Sequence, residues 1–386
     1  MSHPNIGPGR TGQYLPQPTG YRAFIPSPLP PDPPIQMDAQ LQLSLSRADR
    51  ALGRLDGAIQ TLPNPDLFVL MYVRKEAVLS SQIEGTQSSL QDVLAAEAQV
   101  LRDEAPSDVN EVIGYVRAMN HGIARLADLP VSVRLIREIH EQLLQGVRGS
   151  HLRPGEIRTS QNWIGPSGCS LNEATFVPPP HQEVATHLGN LESFLHSSSD
   201  LPILIQIGLA HAQFESIHPF LDGNGRVGRL LITFLLCERN ILAKPVLYLS
   251  HYLKQHRAEY YDHLQAVRDQ GACEPWLEFF LRGIEEVSQQ AAQTAAAILR
   301  LREDHRTTVT NHFGRTAGHG HRILDYLYEH PIVNVKVIQS ITGTSYPAAN
   351  SLVQRFVDSG ILQEITGGAR NRAFRYSSYI ALFHQE

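Results

Sequence analysis

Apolar residues recur at three- and four-residue spacing through most of the chain, and this periodicity predicts a mainly α fold. One helix begins at Asn64-Pro65-Asp66, where an N-cap residue precedes a proline in the first turn. It ends at Glu84-Gly85, because glycine suits the left-handed position that follows a helix. Further helices are predicted over residues 108–126, 131–146, 181–196, 203–216, 227–239, 259–270 and 275 to about 304.

The helical pattern fails in two stretches of the first 180 residues. Residues 1 to about 35 are rich in proline and glycine and should lie extended over a surface, because proline cannot continue a helix. The pattern fails again between Arg153 and Pro180. There, residues 163–168 and 174–178 predict a short β-hairpin or flap.

The C-terminal segment follows a link at residues 314–321 that contains glycine and histidine. Helices are predicted over residues 321–330, 335–342 and 345–360, and strands over 361–365 and 373–376 around Gly367-Gly368-Ala369-Arg370. Three helices and a two-stranded wing are typical of a winged helix-turn-helix. The predicted fold class is therefore mainly α, with a helical core, a small β-hairpin flap and a C-terminal winged helix.

Composition and charge exclude several classes of protein. The 386 residues are 42% hydrophobic, which is ordinary globular composition for two or three domains, and the formal net charge of -5 excludes a wholly basic nucleic-acid coat. Three widely spaced cysteines argue against a disulfide framework or a cysteine zinc site. No signal peptide is evident, and the longest apolar runs fall far short of the ~20 residues of a membrane span. We expect a soluble, cytoplasmic protein with no membrane partner.

The candidate chemistry lies in the run from His218 to Arg229, which reads His-Pro-Phe-Leu-Asp-Gly-Asn-Gly-Arg-Val-Gly-Arg. His218 can act as a general base, because histidine titrates near pH ~6.5. Asp222 supplies the hard oxygen ligands that suit Mg²⁺.

The second half of the run favours an anion. Gly223 and Gly225 let the backbone approach a ligand and turn its N–H groups inward, at the point where a helix begins. Arg226 and Arg229 are three positions apart, so they share a helix face and can both reach phosphate oxygens.

Other interpretations of this run fit less well. The glycine spacing matches a dinucleotide fingerprint, which needs a buried strand before it, but a helical pattern precedes it here. Asp222 and Asn224 resemble the start of a calcium loop, although Arg226 stands where a ligand is needed. No Walker lysine is present. A helix cap with a purely structural role would not explain a histidine, an aspartate and two arginines on one turn.

These residues resemble the signature of Fic-domain proteins, His-Pro-Phe-x-Asp/Glu-Gly-Asn-Gly-Arg-x-x-Arg, and every fixed position is filled. With the proline-rich opening, the flap and the winged helix, most of the chain resembles multi-domain bacterial Fic adenylyltransferases. The resemblance implies four parts. They are an N-terminal region with an inhibitory helix (1–105), a Fic catalytic domain (106–295), a helix end and linker (296–320) and a winged helix domain (321–386).

The resemblance also implies the chemistry. Such an enzyme moves AMP from Mg-ATP, its substrate, to a Ser, Thr or Tyr hydroxyl of a target protein, which can be itself. His218 would take the hydroxyl proton and Asp222 would hold Mg²⁺ between the α- and β-phosphates. The anion hole for the α-phosphate would be formed by Gly223, Asn224 and Gly225.

Further nucleotide-binding residues follow from the resemblance. Arg226 and Arg229 would bind the outer phosphates. Tyr260 and Tyr261 would line the base and sugar pocket. On the flap, the residues that would clamp target and nucleotide are Thr175, Phe176 and Val177. Because aromatic and apolar residues are also common in cores, these last five carry less weight than the loop residues.

A second constellation precedes the catalytic run. Ser80 and Glu84 are four apart and share a helix face, and a glutamate in a last helical turn opposes the helix dipole. The run resembles the inhibitory Fic motif Ser/Thr-x-x-x-Glu-Gly/Asn, which implies an ion pair between Glu84 and Arg229 that blocks productive ATP binding. The alternative is an exposed glutamate before a capping glycine.

Partners and direction of the reaction are left open by the sequence. The third C-terminal helix and the wing carry polar residues suited to DNA, although a protein contact is equally compatible; they are Asn350, Gln354, Arg355, Arg370, Arg372 and Arg375. The same catalytic site suits a de-AMPylating hydrolase, and a nucleotide-sensing DNA-binding regulator is a third reading. The oligomeric state is open, with a homodimer as one option.

Overall fold

Two strands open the described part of the chain, and helices make up most of the rest. The computed structural model describes residues 9–62, 64–98, 108–147, 149–166, 168–367 and 372–383. The strands, β1 (Gly12–Pro16) and β2 (Arg22–Pro26), pair antiparallel as a hairpin. The prediction of a mainly α fold is confirmed.

The described part of the proline-rich opening is extended, as predicted, but some of its side chains are buried. Phe24 in β2 is buried, and its N–H donates to the Val177 carbonyl of the flap at 2.9 Å. Before the hairpin, the buried Arg10 makes two hydrogen bonds, of 2.8 and 2.9 Å, with the Glu274 carboxylate. These buried contacts fix the segment on the helical core. Residues 1–8 of the predicted segment lie outside the described residues.

The core is a set of helices around a central pair. In chain order they are α1 (Ala39–Gln60), α2 (Pro65–Ile83), α3 (Leu90–Glu97), α4 (Val109–Arg125), α5 (Val133–Leu144), α6 (Val184–His196), α7 (Ile203–Ile217), α8 (Asn224–Glu238), α9 (Ser250–Gln255), α10 (Arg257–Gln270) and α11 (Cys273–His312). Both α7 and α8 are buried along most of their length, and α4, α5, α6, α10 and α11 pack around them. The loop between α7 and α8 therefore rests on a fixed base.

The predicted helices do not include α1, α3 and α9. Helix α1 lies along α11 through an apolar face at helical spacing; it consists of Leu41, Ala48, Leu52, Leu55 and Ile59. Helices α3 and α9 have only eight and six residues, and so short a segment carries little periodic signal.

Helix α2 begins at Pro65 and is followed by Glu84 as its C-cap, as the sequence predicts. Gly85 has a φ of 100°, so the predicted need for glycine at this position is met. Asn64 is the N-cap residue, as predicted, but its side chain makes no capping hydrogen bond.

The flap is smaller than the predicted hairpin. Within the described residues it pairs at one position, where Ile164 and Phe176 exchange backbone hydrogen bonds of 2.8 and 3.0 Å. A short 3-10 turn, Leu171–Glu173, lies in the connection between the two sides of the flap.

The predicted link before the C-terminal segment is mostly helical. Helix α11 continues to His312, and after a 3-10 turn at Gly314–Thr316 the next helix, α12 (Ala317–Glu329), begins. Gly320 serves close packing, since a Cβ there would lie 2.6 Å from a Val309 methyl group of α11. The link is thus a tight helix–helix corner.

The C-terminal segment consists of helices and a small sheet. Its elements after α12 are β3 (Ile332–Asn334), α13 (Val335–Thr342), α14 (Tyr346–Asp358), β4 (Gln363–Glu364), β5 (Ala373–Arg375) and α15 (Ser377–Ala381). The sheet is antiparallel in the order β3-β5-β4, so it has one strand more than the predicted two-stranded wing. The predicted turn residues 368–370 lie outside the described residues.

The predicted domain boundary after residue 105 falls outside the described residues. At the predicted boundary after residue 295, α11 continues without a break. In the ranges that the structure covers, no helix has the length and apolar character needed to cross a membrane. All three cysteines are free thiols.

Candidate active site

The turn between α7 and α8 gives the site its shape. His218 follows α7 in the left-handed conformation, with a φ of 49°, and Gly223 precedes α8 with a φ of 78°. The buried Asn224 side chain closes the loop, because it accepts from the Phe220 N–H and donates to the Phe220 carbonyl, both at 2.8 Å. The left-handed conformations of His218 and Gly223, together with the Asn224 hydrogen bonds, hold the histidine and the start of α8 on one side of the turn.

The N-terminus of α8 has the features that suit an anion. No side chain caps this helix in the part of the chain described, so the first N–H groups are available to a ligand, and the helix dipole favours negative charge there. Glu84 already approaches it, since a Cβ on Gly225 would lie 2.3 Å from Glu84 Oε1. A side chain at position 225 would therefore collide with the carboxylate that lies over this backbone.

Arg229 joins α8 to α2. Its Nη2 lies 2.6 Å from Glu84 Oε1 and 3.0 Å from the Ser80 carbonyl, and its Nε donates to Ser80 Oγ at 2.8 Å. Burial acts to raise the pKa of Glu84, but the guanidinium of Arg229 outweighs it and the net pKa is lowered. The structure thus brings together the three residues of the predicted inhibitory contact with Glu84 ionised.

Arg226 lies beside this contact and is also buried. Its Nη1 is 3.2 Å from Glu111 Oε2 of α4, and its Nη2 is 3.5 Å from Asp222 Oδ1. The carboxylate of Glu111 holds this guanidinium toward the loop, so Arg226 is fixed before any ligand arrives.

His218 is held in the neutral state. Burial lowers its pKa to about 3, and the positive charges of Arg268 and Arg158 act in the same direction. The Arg158 Nε also donates to the His218 carbonyl at 3.0 Å, and Asn162 donates to the same oxygen at 3.3 Å. A neutral imidazole near pH 7 can accept a proton, which a general base requires.

Asp222 has a half-exposed side chain. Its Oδ1 accepts from the Gly223 N–H at 2.6 Å, and its carbonyl accepts from His140 Nε2 at 3.0 Å. His140 stacks on Phe220 at 3.7 Å and accepts from the Gly155 N–H at 2.8 Å, which assigns the neutral tautomer with the proton on Nε2. His140 fixes the backbone from which the Asp222 carboxylate extends.

The three flap residues occupy different surroundings. Thr175 is exposed, whereas Phe176 and Val177 are buried. The Phe176 ring packs under the Arg268 guanidinium, 3.8 Å from the ring centroid, and 6.1 Å from Phe24. Two of the three residues are thus part of the core, and Thr175 is the one that presents a side chain to solvent.

The two tyrosines of α10 also differ. Tyr260 is buried and donates to His211 Nε2 at 2.9 Å, and His211 Nδ1 donates to the Gly228 carbonyl at 3.0 Å. Tyr261 is 40% exposed, and its pKa is raised by burial and then by the Glu84 carboxylate. Tyr261 therefore lines the open side of the site, while Tyr260 supports α8 from below.

Several residues of the site were not predicted from the sequence. They contact the catalytic loop or act on the charge of His218, and they belong to no local motif: Glu111, His140, Arg158, Glu215 and Arg268. In a sequence, a buried charge or a lone histidine appears only as a polar residue on an otherwise apolar helix face. That pattern does not indicate which residues the side chain contacts.

The polar residues predicted for DNA contact are largely engaged within the chain. Arg355 Nη1 donates to the Phe313 carbonyl at 3.1 Å, and Arg372 forms a 2.7 Å ion pair with Glu364. The remaining arginine in the described part, Arg375, bonds Gln91, Gln363 and Ser377. Gln354 bonds Asp358, while Asn350 is half-buried and Arg370 lies outside the described residues.

Two models of one sequence family match the chain over the region just described. Residues 42–124 match the Fic/DOC family N-terminal model, and residues 130–236 match the Fic/DOC family model. The chain belongs to the Fic/DOC family. The first match includes α2 with Ser80 and Glu84, and the second includes the flap and the loop from His218 to Arg229.

Curated relatives agree with this assignment. Protein adenylyltransferase Fic of Aedes aegypti is 31% identical over 199 residues, and that of Drosophila melanogaster is 29% identical over 197 residues. Each match covers 50% of this chain and 35% of the relative, so the chain spans about a third of the length of these proteins.

A solved structure shows the same fold over most of the chain. The crystal structure of a Fic family protein from Desulfovibrio desulfuricans is 17% identical in sequence, with a TM-score of 0.58. The match covers 89% of this chain and 97% of that one.

Proposed function

We propose that this chain is a Fic-type protein adenylyltransferase, which moves AMP from Mg-ATP to a Ser, Thr or Tyr hydroxyl of a protein. The observation that carries the proposal is the meeting of a neutral base, His218, with an uncapped helix N-terminus flanked by Arg226 and Arg229. The names of the curated relatives support the same reaction class.

The proposed reaction uses these residues as follows. The target hydroxyl oxygen attacks the α-phosphorus while its proton passes to His218, and the bond from that phosphorus to the β-phosphate oxygen breaks, so pyrophosphate leaves. The N–H groups at the start of α8 stabilise the charge on the α-phosphate, and the arginines bind the outer phosphates. Arg158 and Asn162 fix the His218 backbone through hydrogen bonds to its carbonyl. In this proposal, catalysis comes from the close placement of the reacting groups and from charge stabilisation.

The carboxylate of Asp222 fits a magnesium ion held jointly with a nucleotide. Its Oδ1 is engaged by Gly223 and Arg226, while the Oδ2 faces the backbone of Gly149, where a Cβ would lie 2.7 Å away. Mg²⁺ in phosphate-transferring sites commonly takes one or two carboxylates plus substrate phosphates. When bound, the ion neutralises phosphate charge and orients the leaving group.

Glu84 restrains this activity in the proposed mechanism. A carboxylate that occupies Arg229 and lies over Gly225 competes with the outer phosphates of ATP for the same guanidinium and the same helix N-terminus. ATP then binds with its α-phosphate misplaced, and transfer is slow until Glu84 moves away.

Mass spectrometry of the full chain after incubation with ATP and Mg²⁺ tests the function. We expect a covalent AMP adduct on the chain or on an added target protein, stronger with Glu84→Gly and absent with His218→Ala. Equal labelling of wild type and both variants would contradict the proposal. Loss of a pre-formed adduct on adding the enzyme without ATP would instead identify a de-AMPylating hydrolase.

For the C-terminal segment we propose a winged helix that binds a protein partner in preference to DNA. We also propose that the chain is located in the cytoplasm. The support is that Arg355, Arg372 and Arg375 already bond groups of this chain. A salt-dependent shift of duplex DNA by the full chain would favour DNA and the regulator reading.

A further inference from the structure

A buried carboxyl group lies directly behind the candidate base. Glu215 is three residues before His218 in the last turn of α7, so the two side chains share a face. Its Oε2 is 3.9 Å from His218 Nδ1, and only 7% of the side chain is exposed. On the other side, a Cβ on Gly228 of α8 would lie 2.4 Å from Glu215 Oε1. The glycine thus makes room for a carboxyl group at this place.

Among the residues described, neither Glu215 Oε1 nor His218 Nδ1 has a hydrogen-bond partner of normal geometry. A hydrogen bond with the Glu215 backbone nevertheless acts to raise the pKa of His218, so the Glu215 side chain would compete with that backbone contact. Buried polar atoms are rarely left unpaired, and where they are, a catalytic role is one established reason. A small rotation of either side chain would bring Oε2 and Nδ1 within hydrogen-bonding distance.

Charged groups from three helices surround Glu215. Burial raises its pKa to about 7; Arg229 of α8 and Arg268 of α10 act to lower it, and Glu84 at the end of α2 acts to raise it. The buried Tyr260 hydroxyl of α10 also lies within electrostatic range. The carboxyl group therefore changes its charge near neutral pH.

The histidine needs such a partner when it takes up a proton. Burial, Arg268 and Arg158 oppose the charge of an imidazolium here, and they outweigh the backbone hydrogen bond with Glu215 and the Glu84 carboxylate, which favour it. A carboxylate 3.9 Å from Nδ1 offsets this cost. A hydrogen bond from Nδ1 would also leave Nε2 unprotonated and directed away from the core.

We propose that Glu215 is a positioning residue, which accepts a hydrogen bond from His218 Nδ1 and so holds Nε2 ready for the proton of the target hydroxyl. The inference rests on the proposed transferase function. The hydroxyl proton ends on Nε2, the Nδ1 proton stays on the imidazole, and Glu215 takes part only through its negative charge.

Self-labelling kinetics with Mg-ATP test the proposal in the full-length Glu84→Gly variant. Adding Glu215→Gln, which keeps size and shape, should lower kcat by about 10²-fold with KM for ATP unchanged. The control is Glu238→Gln, at the far end of α8, where the carboxylate bonds the Val131 N–H at 2.7 Å; it should leave kcat unchanged.

The pH profile separates positioning from a structural role. Activity that needs ionised Glu215 should rise with pH through about 7 in the wild type. Because Glu84 acts to raise the pKa of Glu215, the rise should shift to lower pH in Glu84→Gly, and it should be missing after Glu215→Gln. If the Gln variant keeps the parent rate and pH profile, the proposal is wrong.

A second measurement does not depend on activity. In protein labelled with ¹⁵N-histidine, His218 is assigned by comparison with His218→Ala. We expect the Nδ1–H tautomer in the wild type and a mixture of tautomers in Glu215→Gln. Identical tautomer populations in both would overturn the positioning role. Absence of any AMP transfer, with the tautomer change present, would overturn only the transferase function.

Discussion

At the scale of single residues, the proposed restraint depends on one carboxylate, that of Glu84, which contacts Arg229. Glu84→Gly removes the 2.6 Å contact and empties the space over Gly225. Ser80→Ala removes only the 2.8 Å bond to Arg229 Nε. Because a hydrogen bond to a charged group contributes roughly 1.5–3 kcal/mol, we expect at least about tenfold faster self-labelling in Glu84→Gly and a smaller increase in Ser80→Ala. Initial rates with labelled ATP measure both.

The control for this pair lies on the same helix. Asp66, in the first turn of α2, is exposed and pairs with Lys244, far from Arg229. Asp66→Asn should label at the wild-type rate. An order in which Ser80→Ala exceeds Glu84→Gly would show that Glu84 is not the principal restraint.

A second residue-scale prediction concerns His211 beneath the site. His211→Phe keeps an aromatic ring beside Trp276 but removes the acceptor of the buried Tyr260 hydroxyl. An unpaired buried hydroxyl costs about 1–3 kcal/mol, so the free energy of unfolding should fall by that amount at pH 7. Urea denaturation measures it.

The same substitution has a defined pH dependence. Burial lowers the pKa of His211 to about 4, so between pH 6.5 and 4 the unfolded chain binds a proton that the folded protein does not. Stability of the wild type therefore falls as pH falls through this range, by roughly 3 kcal/mol from this group. His211→Phe lacks this loss, so the gap between the two proteins should narrow toward pH 4. A constant gap would mean that His211 is not neutral in the fold.

The residues of the site differ in how far sequence could predict them. His218, Asp222 and the arginines of α8 lie within twelve consecutive positions, so their chemistry is readable in one motif. The pairing of Glu84 with Arg229 spans 145 positions and was predicted only through the family resemblance. Arg158 and Glu215 had no such support, because their meaning depends on which loop or helix packs against them.

At the scale of elements, the packing distance between α4 and α8 determines where Glu111 of α4 holds the Arg226 guanidinium of α8. Gly122 of α4 sets this distance, since a Cβ there would lie 2.3 Å from the Phe234 ring of α8. Gly122→Ala should destabilise the fold by about 1–3 kcal/mol through overpacking, and it should lower activity because Glu111 moves with α4. Chemical denaturation and self-labelling measure the two effects.

A matched control exists in α1. Gly53 is exposed in mid-helix, and a Cβ there would meet nothing within 4 Å. Gly53→Ala should stabilise the protein by about 0.5–1 kcal/mol, because alanine favours the helix and no contact opposes it. If both alanines stabilise, α4 and α8 are not in close contact at Gly122.

Most elements with long apolar periodicity were predicted, with α1 as the exception, and elements defined by close packing were not. The link at residues 314–321 reads as a break because it holds two glycines within three positions, Gly318 and Gly320. In the fold Gly320 lets α12 approach α11, and the segment is helical. A glycine that permits helix contact and a glycine that ends a helix look the same in a sequence.

At the scale of the whole molecule, α2 joins the C-terminal segment to the active site. Near its start, Phe68 packs on Tyr328 with ring centroids 5.0 Å apart, and Tyr72 meets Phe383 edge-on at 5.3 Å. Arg74 donates to the Glu329 carbonyl at 3.3 Å. The other end of the same helix presents Ser80 and Glu84 to Arg229. A change in how the C-terminal segment packs is therefore expected to move Glu84.

Phe383→Ala tests this connection, because it removes the ring against Tyr72 at a site remote from Arg229. Self-labelling should rise in the otherwise wild-type chain, since α2 loses a contact that holds Glu84 in place. The same substitution should have no effect in Glu84→Gly, where no restraint is left to release. Tyr346→Ala, at a half-exposed residue of α14, is the control and should leave both rates unchanged. A rise that persists in the Glu84→Gly background would mean that the C-terminal segment acts on the catalytic loop by a route that does not include α2.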